Sequence, residues 1–146
     1  MKTVEEIMKP YPVSCELNDT VNVAVKKMSQ SDADFLPVVD KDQRVVGMVK
    51  QADITRIMSS TASDANKLTV NQIMNPGSFA INAHEDEATA YSTMKSERIN
   101  RLPVVDDENH LKGSITFMSI ARRIVNFKKT LKNMNKGRQN SRPNSI

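Results

Sequence analysis

The sequence predicts an α/β fold built from two copies of one small unit, each a three-stranded sheet covered by helices. Three observations predict it. Leu36-Pro37-Val38-Val39-Asp40 returns unchanged as Leu102-Pro103-Val104-Val105-Asp106, sixty-six residues downstream. At the same offset, without a gap, Thr3, Val4, Ile7, Met8 and Pro10 fall on Thr69, Val70, Ile73, Met74 and Pro76, and Gly47, Ile54 and Arg56 fall on Gly113, Ile120 and Arg122. Within each copy, helix-period stretches alternate with short β-branched runs. The organisation expected is a first repeat over 1–60, a connector over 61–68, a second repeat over 69–125 and a basic extension with a disordered tail over 126–146.

Thr3-Val4-Glu5-Glu6 has the Thr-x-x-Glu form of a capping box, so a short helix should run to about Met8 before Pro10 and Pro12 stop it. Val13-Ser14-Cys15 reads as a short strand. Asn18-Asp19-Thr20 offers a cap for a helix ending near Ser31, in which Val21, Ala24, Val25 and Met28 share one buried face. Phe35 to Val39 and Val45 to Val49 are apolar runs around the turn residues Asp40-Lys41-Asp42-Gln43, the pattern of a hairpin. A helix from Gln51 to Met58 then closes the repeat. The strand-helix-strand crossover puts the helices on one face of the sheet. The second copy reads the same way, with a box at Thr69-x-x-Gln72, a strand over Phe79 to Ile81, a helix over Asp86 to Glu97, strands over Leu102 to Val105 and Leu111 to Thr116, and a helix from about Phe117. There the copies part. Ile120, Ile124, Phe127, Leu131 and Met134 keep near-helical spacing until Asn135-Lys136-Gly137 should end the helix, and the polar residues beyond should be disordered.

A chain of 146 residues buries about two thirds of its unfolded surface, whereas one copy alone would be marginal, so the copies should pack together and share a core. The absence of a long apolar run and of a signal-peptide pattern points to a cytoplasmic protein without a membrane span. The single cysteine, Cys15, cannot form an internal disulfide and reads as a small buried apolar residue. Net charge +4 hides a split: residues 122–146 carry eight Lys and Arg and no acid, leaving −4 for the rest. His84 and His110 show no Cys, Asp or Glu partner at ligand spacing, so no metal is expected, and the methionines read as core. No Ser-His-Asp set, nucleophile elbow or phosphate loop is present, so no enzyme activity is expected.

The leading helix ending in Ile-Met, the Leu-Pro-Val-Val-Asp strand, the hairpin and the Gly-hydrophobic-hydrophobic segment entering a helix, all present twice, resemble a tandem pair of CBS domains, a Bateman module, over residues 1 to about 125. The resemblance implies two units about a pseudo-twofold axis, often paired again into flat homodimers. It implies a regulatory role: binding an adenosine-containing ligand such as AMP, ADP, ATP or S-adenosylmethionine between the units and signalling to a protein partner.

In such proteins the segment after the hairpin glycine reads Gly-h-h-Thr/Ser-x-x-Asp, with the hydroxyl and the acid meeting ribose and phosphate. The first copy reads Gly47-Met48-Val49-Lys50-Gln51-Ala52-Asp53 and the second Gly113-Ser114-Ile115-Thr116-Phe117-Met118-Ser119, so each keeps half of the pattern. An ionised carboxylate can accept from both ribose hydroxyls, which makes Asp53 the ribose candidate. The alternative is an acid in a first helical turn, favoured by the helix dipole or paired with Arg56. Arg101 stands where relatives often place a base for the phosphates, with Lys50 as a second positive charge; the alternative for Arg101 is an exposed side chain at a strand start. The resemblance puts Val13, Ser14 and Cys15 against the adenine of the Asp53 pocket. Phe79, Ala80 and Ile81, with Thr116 and Ser119, would form a second, weaker pocket.

Residues 122–136 form a basic amphipathic helix that suits an acidic protein surface, nucleic acid or lipid headgroups. Phe127 is its only aromatic, which supplies base stacking poorly. The alternative is a solvated helix whose Ile124, Phe127 and Leu131 stripe packs on a dimer mate. The competing function is a scaffold with vacant clefts acting through this helix.

Overall fold

The computed structural model describes residues 1–10, 12–31, 33–60, 66–77 and 80–140. The first repeat contributes α1 (Val4–Ile7), β1 (Lys9–Pro10), β2 (Cys15–Glu16), α2 (Val21–Ser31), β3 (Phe35–Val39), β4 (Val45–Lys50) and α3 (Gln51–Ser60). The second contributes α4 (Val70–Ile73), β5 (Ile81–Asn82), α5 (Glu87–Glu97), β6 (Arg101–Val105), β7 (Leu111–Thr116) and α6 (Phe117–Asn140). One sheet has the order β2-β3-β4 and the other β1-β7-β6-β5, which gives the duplicated α/β architecture expected.

The repeated motif does three local jobs. Its leucine and first valine sit in the core: Leu36, Val38, Leu102 and Val104 are all buried. Its proline lies beyond the end of the short parallel partner, since β2 pairs only with Val38 and Val39, and β5 only with Val104 and Val105. No ladder bond is asked of the proline nitrogen there, so a proline is tolerated in a middle strand. Its aspartate builds the turn, with Asp40 Oδ1 accepting from the N–H of Asp42 at 2.9 Å and of Arg44 at 3.0 Å. Asp106 repeats this with Glu108 at 3.0 Å and His110 at 2.8 Å. These are side-chain-to-backbone turn bonds, and Gln43 and Asn109 then take the left-handed conformation that closes each hairpin.

The leading segments are exchanged between the repeats. β1 of the first repeat pairs antiparallel with β7 of the second, Lys9 opposite Ser114 and Pro10 opposite Gly113. At the equivalent place in the other half, Met48 bridges Asn75, with paired backbone bonds of 3.0 and 2.9 Å. Accordingly Val4 of α1 is buried with Ile81, Met94, Leu102 and Ile120, while Val70 of α4 is buried with Val21, Met28, Leu36 and Ile54. Gly47 and Gly113 permit the crossings: a Cβ on Gly47 would stand 2.5 Å from the Asn75 carbonyl, and one on Gly113 2.6 Å from that of Lys9.

The halves also meet on the pseudo-twofold axis, where Arg44 bridges its own counterpart, His110. Flanking bonds run from Val45 N–H to the Asn109 carbonyl at 3.0 Å and from Leu111 N–H to that of Gln43 at 2.9 Å. The single shared core expected from chain length is instead two separate cores, joined by a small cluster of Val39, Val45 and Val105.

Other expectations change in detail. The box at Thr69 is present, with Gln72 Oε1 accepting from Thr69 N–H at 2.9 Å, but Thr3 makes no side-chain cap. Helix α6 does not end at Gly137, because that glycine keeps a negative φ and lies on an open face; residues 138–140, expected to be disordered, are helical. A helical glycine costs about 1 kcal/mol without stopping a helix unless it turns left-handed. Val25, placed on the buried face by its spacing, is 38% exposed, and Met58 and Met118 are exposed rather than core. Most of the connector, the end of the tail and Phe79 lie outside the described residues.

Candidate ligand clefts between the repeats

Exchange of the leading segments lines the seam between the halves with both repeats. One cleft is bounded by Val13, Phe35 and Pro37 of the first repeat and by Arg101, Pro103 and Ser114 of the second. It opens where the two motif prolines leave their strands without a partner on that side. Its free volume is about 20 Å³, room for one water rather than the 300 Å³ or more of a ligand pocket.

The expected residues divide. Val13 and Arg101 meet in this cleft. Ser14 turns its carbonyl to Lys27, whose Nζ donates at 2.8 Å and also pairs with Asp19 at 3.1 Å. Cys15 is wholly buried opposite Val38, and burial pushes its thiol up to about 11, with Lys27 opposing the shift. That thiol is therefore packing, not a nucleophile. Lys50 lines a neighbouring cavity of about 260 Å³ with Asp34, Phe35 and Arg98.

Asp53 lies outside the lining of the Val13–Arg101 cleft. Its Oδ1 accepts from Arg56 at 3.2 Å and its Oδ2 from Asn75 Nδ2 at 3.0 Å, so the acid of the first repeat faces the leading segment of the second. The Arg56 pairing weighed from the sequence is thus present, and the described partner of Asp53 from the second repeat is Asn75. Of the weaker set, Ala80 is half-buried beside the cluster on the axis and Ile81 is buried in the second core. Thr116 caps α6 by accepting from Ser119 N–H at 3.3 Å, and Ser119 is exposed. Asn75 and Ser114, absent from the expectations, become seam residues through strand pairings that the repeat pattern does not encode.

His110 has the acidic partners the sequence reading denied it, Asp106 at 3.1 Å and Glu108 at 3.7 Å. Burial opposes ionisation of Asp106, but the bonds from His110 and Glu108 outweigh it and lower its pKa. No group of His, Cys, Asp and Glu among the described residues is arranged to hold a metal ion, and none of their helices is long and apolar enough to cross a membrane.

A duplicated α/β pair, crossed at its leading segments and cleft along a pseudo-twofold seam, defines a tandem two-repeat module. The family model for the CBS domain matches residues 4–60 and again 70–126, and the chain belongs to that family. It is 30% identical over 123 residues to inosine-5'-monophosphate dehydrogenase of Methanocaldococcus jannaschii, covering 84% of this chain and 24% of that protein. The chain thus spans about a quarter of the length of such relatives. It is 26% identical over 124 residues to hypoxic response protein 1 of Mycobacterium tuberculosis, covering 85% of this chain and 86% of that protein. Among solved structures, the CBS domain pair of protein MJ0100 in complex with 5'-methylthioadenosine and S-adenosyl-L-methionine superposes with a TM-score of 0.71 at 25% identity, over 86% of this chain and 98% of that one.

Proposed function

We propose that this chain is a regulatory module, without catalytic activity of its own, that binds an adenosine-containing ligand in its seam and passes the event to a protein partner. The observation that carries the reading is that each seam is lined by both repeats, Val13 and Phe35 with Arg101 and Ser114 on one side, Asp53 with Asn75 on the other. A ligand entering either seam must alter how the halves pack, and that is a signal. The ligand held by the MJ0100 pair supports the class, AMP, ADP, ATP or S-adenosylmethionine.

In this reading the two seams are separate sites: in one Asp53 exchanges Asn75 and Arg56 for ribose hydroxyls, and in the other Arg101, with Lys50 in the neighbouring cavity, supplies positive charge to the anionic end of a ligand. The 20 Å³ cleft admits it only when Arg101 and Phe35 swing aside. The module acts in the cytoplasm as a homodimer. A second reading, a scaffold acting on nucleic acid or an acidic protein, rests on the exposed Lys128, Lys129, Lys132 and Lys136 of α6 and requires binding that weakens steeply with salt.

Thermal unfolding with each candidate ligand tests the proposal. A ligand at 100 times its Kd adds about 2.7 kcal/mol of stability, and Asp53→Ala or Arg101→Ala should remove most of that gain. Should all four ligands leave the melting curve unmoved, or should the gain survive both substitutions, the sensing role is lost.

A further inference from the structure

The last helix has no acid to balance its cations. In the first repeat Arg56 pairs with Asp53 at 3.2 Å. In the second, Ser119 stands where that acid would be, Arg122 takes the place of Arg56, and no Asp or Glu follows Glu108. Arg122, Lys128, Lys129, Lys132 and Lys136 are all exposed, and none forms an ion pair with a described residue. Lys128, Lys132 and Lys136 also recur at i, i+4 and i+8, a ladder of like charges that weakens a helix rather than supporting it.

Position on the helix decides what such charges can meet. At about 100° per residue the five cations fall within an arc of about 120°, and Asn126 and Asn133 extend it with further donors. The row covers about 21 Å at about 1.5 Å per residue. Ile120, Ile124, Phe127 and Leu131 share the other side, which the first two hold against the second core. The cations therefore face away from the body, on a helix exposed from Val125 to Gly137.

We propose that this face of α6 binds the phosphate backbone of a double-stranded nucleic acid, without regard to sequence. A duplex carries one negative charge per roughly 1.7 Å of axis, so a straight row of cations meets phosphates along its whole length. The major groove of B-DNA, about 12 Å wide, admits an α-helix about 10 to 12 Å across. Three features choose this polyanion over others. A lipid surface would take up the apolar stripe, but that stripe lies on the side of the body and the lysines point the other way. An acidic protein is held by apolar or aromatic anchors as well as charge, and between Arg122 and Lys136 Val125 is the only apolar residue in the arc. A single strand is held by stacking on aromatic rings, and Phe127 lies on the opposite side. The inference rests on the second functional reading, whose partner it names, and is independent of ligand sensing in the seams.

Fluorescence anisotropy of a labelled DNA duplex of random sequence, titrated with the full chain at several salt concentrations, reads the contact. Five neutralised phosphates give log affinity a slope of about −4.5 against log salt, so binding should weaken about 500-fold between about 50 and 200 mM. Lys128→Gln, Lys129→Gln and Lys136→Gln together should bring the slope to about −1.8. Tm should not move, since Gln matches Lys in helix propensity. Leu131→Gln, on the other side of the helix, should leave slope and affinity unchanged. No duplex binding, a slope that survives the triple substitution, or binding lost with Leu131→Gln overturns the inference. A chain that binds polyglutamate in place of the duplex loses this inference and keeps the scaffold reading. One that binds neither, or only phosphatidylserine vesicles, loses both.

Discussion

Where the first repeat buries Val21 at the start of α2, the second buries Glu87 at the start of α5, and where the first sets Ile57 on α3 the second sets Arg123 on α6. Glu87, only 6% exposed, receives Arg123 Nε at 2.6 Å and the backbone N–H of Lys2 at 3.3 Å. One backbone position thus serves as apolar filling in one half and as an ionic clasp in the other. The clasp ties the N-terminal segment and α5 to the one helix that outgrows its repeat, since α3 stops at Ser60 and α6 runs on to Asn140. Duplicated units keep the strand residues that face their own core and diverge on the helix faces that meet something else.

The comparison can be broken at its base. Leu36→Ala and Leu102→Ala remove the same side chain from the two cores and should each cost about 2 to 5 kcal/mol, read from chemical denaturation midpoints. A large gap between them would show that the halves do not carry stability equally.

Glu87→Gln comes next, at about 1.5 to 3 kcal/mol for a lost charged hydrogen bond, whereas Val21 has no ionic counterpart to lose. Burial raises the Glu87 pKa, but the Arg123 and Lys2 bonds prevail and the net shift is below its ordinary 4.5. A carboxyl lowered in the folded state stabilises above its unfolded pKa and loses that contribution as pH falls through its folded one. Stability of the natural chain should therefore drop on acidification below about 4.5, and the gap to the Gln variant should narrow with it. A gap independent of pH would assign Glu87 to packing alone.

The smallest difference lies at the helix caps. Asp86 accepts from Thr89 N–H at 2.8 Å, and that bond leads the causes that lower its pKa, while Thr20 holds Val23 N–H at 3.3 Å. Asp86→Ala should lower Tm more than Thr20→Ala does, measured by thermal melts at neutral pH.

Most elements were legible because they are local. The 3.6-residue spacing of α2, the β-branched runs of β3, β4 and β7 and the turn aspartates each signal within a few residues. What escaped depends on distant partners. β1 is two residues long and contains a proline, and it is a strand only because Ser114 and Gly113 lie beside it. That crossing also re-sorted the candidate site, joining Asp53 to Asn75 and Val13 to Arg101 and Ser114. The run past Gly137 escaped because glycine is permissive of a stop and does not enforce one.

Because each half holds the first helix of the other, cutting the chain at the connector would yield two fragments, neither with a complete core. Mixed together they should recombine, and the uncut connector spares them that search by holding both at high effective concentration. The connector thus turns what would be an encounter between two molecules into a step within one.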